Sequence, residues 1–364
     1  MKKTAMMLLV VALLAAACGG DDAAETTTTA APATTQAPAP EPAPAAADLL
    51  DTVIARGELH CGVNETLPGF GYKDSAGTFT GFDVELCRAL AAAILGDADA
   101  VRYEALTAAA RFEAVNSGLI DVLSRNTTWT QSRDTDLGLD FGPTTYYDGQ
   151  QLMAKGADDF SSMSQLEEIE GAVVCTNAGT TTEKNISETT AAMGINITLS
   201  TFEDFNVVLE NFKSGACDVV TTDGSGLVSR KASEGSGGED WVIFPAVPIS
   251  KEPLGPGWIQ NQSRFGDVVT WTVFAMLIAE EKGITSANVD DMMNVDGEVS
   301  RLLGATEDEL QTKMGLPADA FYQVIKQVGN YAEIYDRHLT PLGLERGLNA
   351  LYTDGGLLYP PPAR

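Results

Sequence analysis

Laid one over the other, "FEAVNSGLIDVLSRN", Phe112 to Asn126, and "LENFKSGACDVVTTD", Leu209 to Asp223, decide the fold. Aligned without a gap they share Glu, Ser-Gly and Asp-Val, five identities in fifteen positions. Each reads as the end of an amphipathic helix, a Ser-Gly stop and a hydrophobic strand. The chain therefore carries one helix-turn-strand unit twice, with Asn126 and Asp223 at equivalent places just past a strand end.

Outward from the first copy, "GELHCGVN" and "AVRYEAL" read as strands, and "GFDVELCRALAAAILG" as a helix with Phe82, Leu86 and Leu90 at helical spacing. Around the second, "GAVVCTN" and "NITLSTF" read as strands, "TTTEKNISETTAAMG" and "FNVVLENFKSG" as helices. Such alternation predicts an α/β protein with mostly parallel sheets, whose ligand crevices lie beyond the strand C-termini. The 364 residues exceed one average domain, so two similar lobes facing each other across a cleft are expected.

The N-terminus is set apart. "MKK" followed by "TAMMLLVVALLAAAC" has the charged start, short apolar run and small-residue end of a secretory signal, residues 1–17. Ala15, Ala16, Ala17 and Cys18 resemble a bacterial lipobox, which implies that Cys18 becomes a lipid-bearing first residue. Residues 18–48, almost only Ala, Thr, Pro, Asp, Glu and Gly, cannot bury apolar surface and read as a disordered tether to the membrane.

The formal net charge is −28, and loss of Lys2 and Lys3 with the signal makes it more negative. Nucleic-acid binding needs a basic face, which this chain lacks; the acidity suits solubility after export. Besides Cys18, the cysteines are Cys61, Cys87, Cys175 and Cys217. Four allow three connectivities in an oxidising compartment, and their grouping suggests Cys61 with Cys87 and Cys175 with Cys217. With only His60 and His338 and no zinc-type spacing, neither a metal nor a cofactor is expected.

Two constellations carry chemistry. In "SRNTTWTQSRD", Thr128, Thr130 and Arg133 place two hydroxyls and a guanidinium within six positions, and the planar fork of Arg matches a carboxylate bidentately. In "NAGTTTEKN", Gly179 and the hydroxyls of Thr180 and Thr181 open a helix whose free N–H groups suit an anion. Asp223 after the strand "CDVVTT" is placed to pair with an ammonium group. Together the two halves complement a small zwitterion.

The motifs "CGVNE", "GFDVELCRA", "SRNTTWTQSRDT", "YYDGQ", "GTTTE", "CDVVTTDGSGL", "ISKEPLGP" and "ERGLNALY" cover nearly the whole body, and with them the chain resembles the periplasmic amino-acid-binding proteins of ABC importers, of the general L-amino-acid-binding type. The resemblance implies a two-lobe, type II binding-protein fold: lobe 1 from 49–150 and 250–364, lobe 2 from 151–249, with hinge crossings near Tyr147 to Lys155 and near Val247 to Lys251. It implies that Arg133, Thr128 and Thr181 hold the α-carboxylate, that Asp223 and Asn126 take the α-ammonium, and that Asn64, Glu65, Leu67 and Phe70 of "NETLPGF" select the side chain. Leu67 stands where many relatives have an aromatic, which fits loose side-chain demands. An acidic ligand side chain would need a basic partner, for which Arg125 and Lys73 are available.

The expected function is therefore a monomeric, lipid-tethered receptor on the outer side of the cell membrane that passes free L-amino acids to an ABC permease. Two rivals share the fold, a sensory ligand domain and a dehydratase-like enzyme. An enzyme needs a positioned acid or base, for which the cleft candidates are Glu65, Asp223 and Glu183 alone. "DGSG" lacks the first Gly of a nucleophile elbow and no His is near it, so the chain is read as a binder.

Overall fold

The computed structural model describes residues 48–156, 164–295, 297–306 and 310–364. The segment read as a signal peptide, residues 1–17, Cys18 and the expected tether up to Ala47 lie outside the described residues. Asp48, placed at the end of the tether, caps a helix: its carboxylate accepts from the Asp51 N–H at the start of α1, Leu49–Arg56.

Strand β1, Leu59–Val63, leads into a small antiparallel sheet of β2, Thr66–Leu67, β3, Gly71–Lys73, and β4, Phe79–Thr80. Helix α2, Phe82–Leu95, is almost wholly buried, which its run of Ala and Leu permits. Next come β5, Val101–Ala105, α3, Arg111–Asn116, and β6, Val122–Leu123. Helix α4, Gln131–Asp136, and β7, Leu139–Phe141, complete this part, and β8, Tyr146–Asp148, leaves it.

The second part opens with β9, Gln150–Lys155, and continues through β10, Val173–Asn177, and α5, Thr181–Met193. Strand β11, Thr198–Phe202, helix α6, Phe205–Ser214, strand β12, Val219–Asp223, helix α7, Gly224–Glu234, and strand β13, Trp241–Phe244, follow. The chain returns by β14, Glu252–Leu254, to β15, Gly257–Ile259, and then runs through α8, Ser263–Glu281, and shorter helices to His338.

Two five-stranded sheets result, ordered β5-β1-β6-β15-β7 and β11-β10-β12-β9-β13. Three parallel strands stand at one side of each, and the fourth position is filled by an antiparallel strand, β15 or β9, contributed from across the hinge. The protein is thus a two-lobed α/β structure of the type II kind. The sequence repeat is a structural one: β6 follows α3 as β12 follows α6, and Gly118 and Gly215 end the two helices at φ 71° and 81°. A positive φ strains any residue bearing a Cβ, so the Ser-Gly stop is required by geometry.

Alternation along the strands of the second sheet feeds two cores. Leu152, Ala154, Val174 and Val219 pack on one face; Met153, Cys175 and Val220 pack on the other. A strand turns successive side chains to opposite faces, so helices must cover both. A larger core unites α2, α8 and the C-terminal helices against the first sheet. Disulfides join Cys61 to Cys87 and Cys175 to Cys217, each within the elements of one sheet and its helices.

The crossings pair with each other: Glu252, Pro253 and Leu254 lie antiparallel to Asp148, Tyr147 and Tyr146. Before that ladder the return crossing already meets the outgoing one, the Ile249 N–H donating to the Gln150 carbonyl at 2.9 Å and Ser250 Oγ accepting from the Gln150 N–H at 3.3 Å.

The Cys175–Cys217 bridge closes a loop of 42 residues. By the loop-entropy relation, Cys175→Ala with Cys217→Ala lowers unfolding free energy by about 4 kcal/mol in denaturant titration. Neither residue lines the cavity described next, so ligand affinity is expected to stay within a few-fold.

Candidate functional site

A cavity of about 110 Å³ lies between the lobes, where the C-terminal ends of the parallel strands converge. From the first lobe it is lined by Asn64, Glu65, Leu67, Arg111, Arg125, Asn126 and Thr128, and from the second by Thr180, Thr181, Phe205, Asp223 and Arg230. Thr130, Arg133 and Phe70 do not line it. Thr130 caps α4 by accepting from the Arg133 N–H at 3.3 Å. Phe70 is fully buried among aromatic rings, 6.1 Å from Phe82 and 5.2 Å from Tyr146, so it belongs to the core.

Arg133 stands one layer behind. Its Nη1 donates to the Thr128 carbonyl at 2.8 Å, and its guanidinium lies 5.0 Å from the Phe112 ring centre. Arg111 takes the same ring from another side, at 4.9 Å, and reaches the cavity itself. Its Nη1 has one long bond, 3.3 Å to the Thr127 hydroxyl, and its buried Nε has no acceptor. Such a group suits an anionic ligand.

The other arm comes from helix geometry. Thr180 caps α5, accepting from the Glu183 N–H at 3.0 Å, while the Glu183 carboxylate reaches back to the Gly179 N–H at 2.7 Å. This arrangement occupies Glu183 and leaves the N–H groups of Thr181 and Thr182, both lining residues, without an acceptor within the helix.

Behind Thr128 and Thr181 of the cavity wall, a carboxylate given no role by the sequence reading binds both lobes. Glu252 Oε2 accepts from the Thr128 hydroxyl at 2.6 Å and the Thr181 hydroxyl at 2.8 Å; Oε1 accepts from Asn185 at 2.7 Å and Ser250 at 2.6 Å. Each threonine has a single hydroxyl proton, so what it turns to the cavity is lone pairs. The segment bearing Thr128 is held in place by ladder bonds to β14, Trp129 N–H to the Pro253 carbonyl at 2.8 Å and Gly255 N–H to the Thr127 carbonyl at 3.1 Å.

The electrostatics are unusually concentrated. Asp223 is buried, and burial first, then Asp148 and Glu252, hold its carboxyl well above the usual range; Arg111 and Arg133 work against this. Burial raises Asp148 to about 6 although Ser225 and Gly149 donate to it. Arg111 is pushed well down by burial and by Arg133 and Arg125. Asn126, held at φ 29°, donates its N–H to Asp83 at 2.7 Å and receives the Asn64 amide at 3.1 Å. Burial raises Asp83 to about 7 even so.

Arg111, Glu252 and Arg230 are the lining or supporting residues that sequence reasoning missed. Arg111 and Arg230 sit on helices that show only amphipathic patterning, and Glu252 was quoted within "ISKEPLGP" without a role.

The family model for the bacterial extracellular solute-binding proteins, family 3, matches residues 59–341. The chain is 45% identical over 325 residues to the general L-amino acid-binding periplasmic protein of Rhizobium johnstonii, covering 88% of this chain and 94% of that protein. It is 44% identical, with the same coverage, to the glutamate/glutamine/aspartate/asparagine-binding protein of Rhodobacter capsulatus. A solved ABC transporter periplasmic binding protein from Brucella ovis, with glutathione bound, superposes with a TM-score of 0.84 at 44% identity, covering 88% of this chain and all of that one.

Asp83, Asp148 and Asp223 all hold protons more tightly folded than unfolded, so the folded state binds more protons between their ordinary and raised values. The stability these three groups contribute is therefore fully present below their ordinary values and is lost as pH rises, through about 7 for the Asp83 carboxyl. Asp83→Asn keeps an oxygen for the Asn126 N–H, and unfolding at pH 5 and pH 8 is expected to show a flatter slope than the parent.

Proposed function

The chain belongs to the bacterial extracellular solute-binding proteins, family 3, and on that premise we propose that it captures free L-amino acids by closing two lobes on them and passes them to an ABC-type permease. The observation that carries this reading is the pairing, in one cavity, of a buried guanidinium with an open Nε, Arg111, and a buried carboxylate, Asp223. A zwitterion answers both charges at once. The Rhizobium and Rhodobacter relatives, both named as amino-acid-binding proteins, support the same ligand class.

In this reading the α-carboxylate meets Arg111, with Arg133 behind it, and the N–H groups opening α5 at Thr181. The α-ammonium meets Asp223 and the hydroxyl oxygens of Thr128 and Thr181, whose protons are directed to Glu252. Asn126 and Asn64 complete that end, Thr180 caps the helix, and Glu65 and Leu67 flank the ligand side chain. Only the closed form lets both lobes touch the ligand, so binding shifts the open–closed equilibrium by hinge bending. Closure also dries the cleft and strengthens both charge pairs.

The lobe boundaries that fit are 49–150 with 250–364, and 151–249. Cys18 serves as a lipid anchor and residues up to 48 as a tether, so a monomer works at the outer face of the membrane. The chain acts as a binder rather than a catalyst: of the acid and base candidates, Asp223 and Glu65 face the ligand's ammonium and side chain, and Glu183 is tied to the Gly179 N–H.

Isothermal titration of protein stripped of retained ligand tests this. Several L-amino acids bind, and N-acetylated and decarboxylated analogues do not. Asp223→Ala weakens every amino acid by at least about 100-fold, because the ammonium is then buried without a counter-charge; retained affinity puts the ammonium elsewhere. Arg111→Met costs about 10- to 100-fold, and Arg133→Lys restores only part of what Arg133→Ala loses. Ligand recovered unchanged after long incubation separates a binder from an enzyme.

A further inference from the structure

Two more guanidinium groups line the cavity, and the zwitterion site leaves both unused. Arg125 comes from the segment after β6 and Arg230 from α7, so they approach from opposite lobes. They are 8% and 6% exposed. Arg125 donates its Nε to the Leu106 carbonyl at 2.6 Å. Arg230 lies 4.2 Å from the Phe205 ring centre and donates Nη1 to the Thr66 carbonyl at 3.1 Å, and its buried Nε has no acceptor.

A buried cation requires a counter-charge. Two buried carboxylates, Asp83 and Asp223, act on Arg125, but Asp83 Oδ2 already accepts from the Asn126 N–H and Asp223 faces the ligand's ammonium. The charges acting on Arg230 are Asp204 and Arg125, not Asp223. Asp204 is exposed and accepts from the Asn206 N–H at the start of α6; Glu65 and Glu203 are likewise exposed at the rim, where water screens them. The carboxylates that act on the two buried cations are thus exposed or already engaged, and like charges oppose each other across the cleft.

We infer that Arg125 and Arg230 form a subsite for an anionic ligand side chain, so that the favoured amino acids end in a carboxylate, as glutamate and aspartate do. The inference rests on the amino-acid reading above and names its substrate class. A carboxylate between the two guanidinium groups removes their repulsion and ties one lobe to the other. Leu67 and Phe205 supply apolar walls for the intervening methylenes. A neutral side chain fills the same space and leaves the repulsion in place, so it closes the cleft less firmly.

The mature chain, stripped of ligand, is titrated with glutamate, glutamate γ-methyl ester, glutamine and leucine. Glutamate is expected to bind at least about 30-fold tighter than its nearly isosteric γ-methyl ester, as a charge-assisted pair implies. Arg230→Met keeps an apolar stem over Phe205; it is expected to abolish that preference while leucine changes by less than about threefold, and Arg230→Lys to restore part of it. Equal losses for leucine and glutamate would make Arg230 only a latch to Thr66 and overturn the subsite. Should melting show Arg230→Met unfolded, the parent's glutamate-to-ester ratio decides, and a ratio near one overturns it. Amino acids that bind without acid preference sink the subsite alone; silence across the whole panel sinks the amino-acid reading with it.

Discussion

The carboxylate of Glu252 is the interaction on which the cleft depends. It sits on the return crossing and accepts four hydrogen bonds: from Thr128 of the first lobe, from Thr181 and Asn185 of α5 in the second, and from Ser250 beside it. A carboxylate this buried is tolerable only because four donors are aimed at it. In return it fixes which way two hydroxyls point. It also brings the entrance of α5 to the segment after β6, so that the Thr128 and Thr181 oxygens lie 3.3 Å apart.

Around that knot the site is built against the stability of the fold. Asp148 and Glu252 raise the proton affinity of Asp223, and Arg133 and Arg125 lower that of Arg111, as Arg133 does that of Arg125. A core of leucine and valine would fold more readily. Such local conflict is what a binding site looks like when part of its electrostatic complement is to arrive with the ligand.

The fold was legible because its signals are local. The Ser-Gly stops at Gly118 and Gly215, the hydroxyl cap at Thr180 and the alternation of β9 and β10 each depend on residues a few positions apart. Much of the candidate cavity was legible for the same reason, as with Asn126, Thr128, Thr181 and Asp223 at strand ends and a helix start. What was not legible is non-local. Glu252 is 124 positions from Thr128 and 71 from Thr181, so no window holds the cluster. Arg111 and Arg133 flank one Phe112 ring, yet which of them reaches the cavity is settled by the path of α3 and α4. Arg230 reads as the polar face of an ordinary helix until α7 is docked against β2.

The paired crossings also limit how the molecule can move. A single linker would let one lobe swivel freely about it; two strands zipped side by side, Tyr146–Asp148 with Glu252–Leu254, behave as a leaf spring that bends about one axis and resists torsion. Asp148 and Glu252 are opposite each other in that spring. Charge arriving in the cleft is therefore felt at the pivot itself, with no chain of intervening contacts to carry the message.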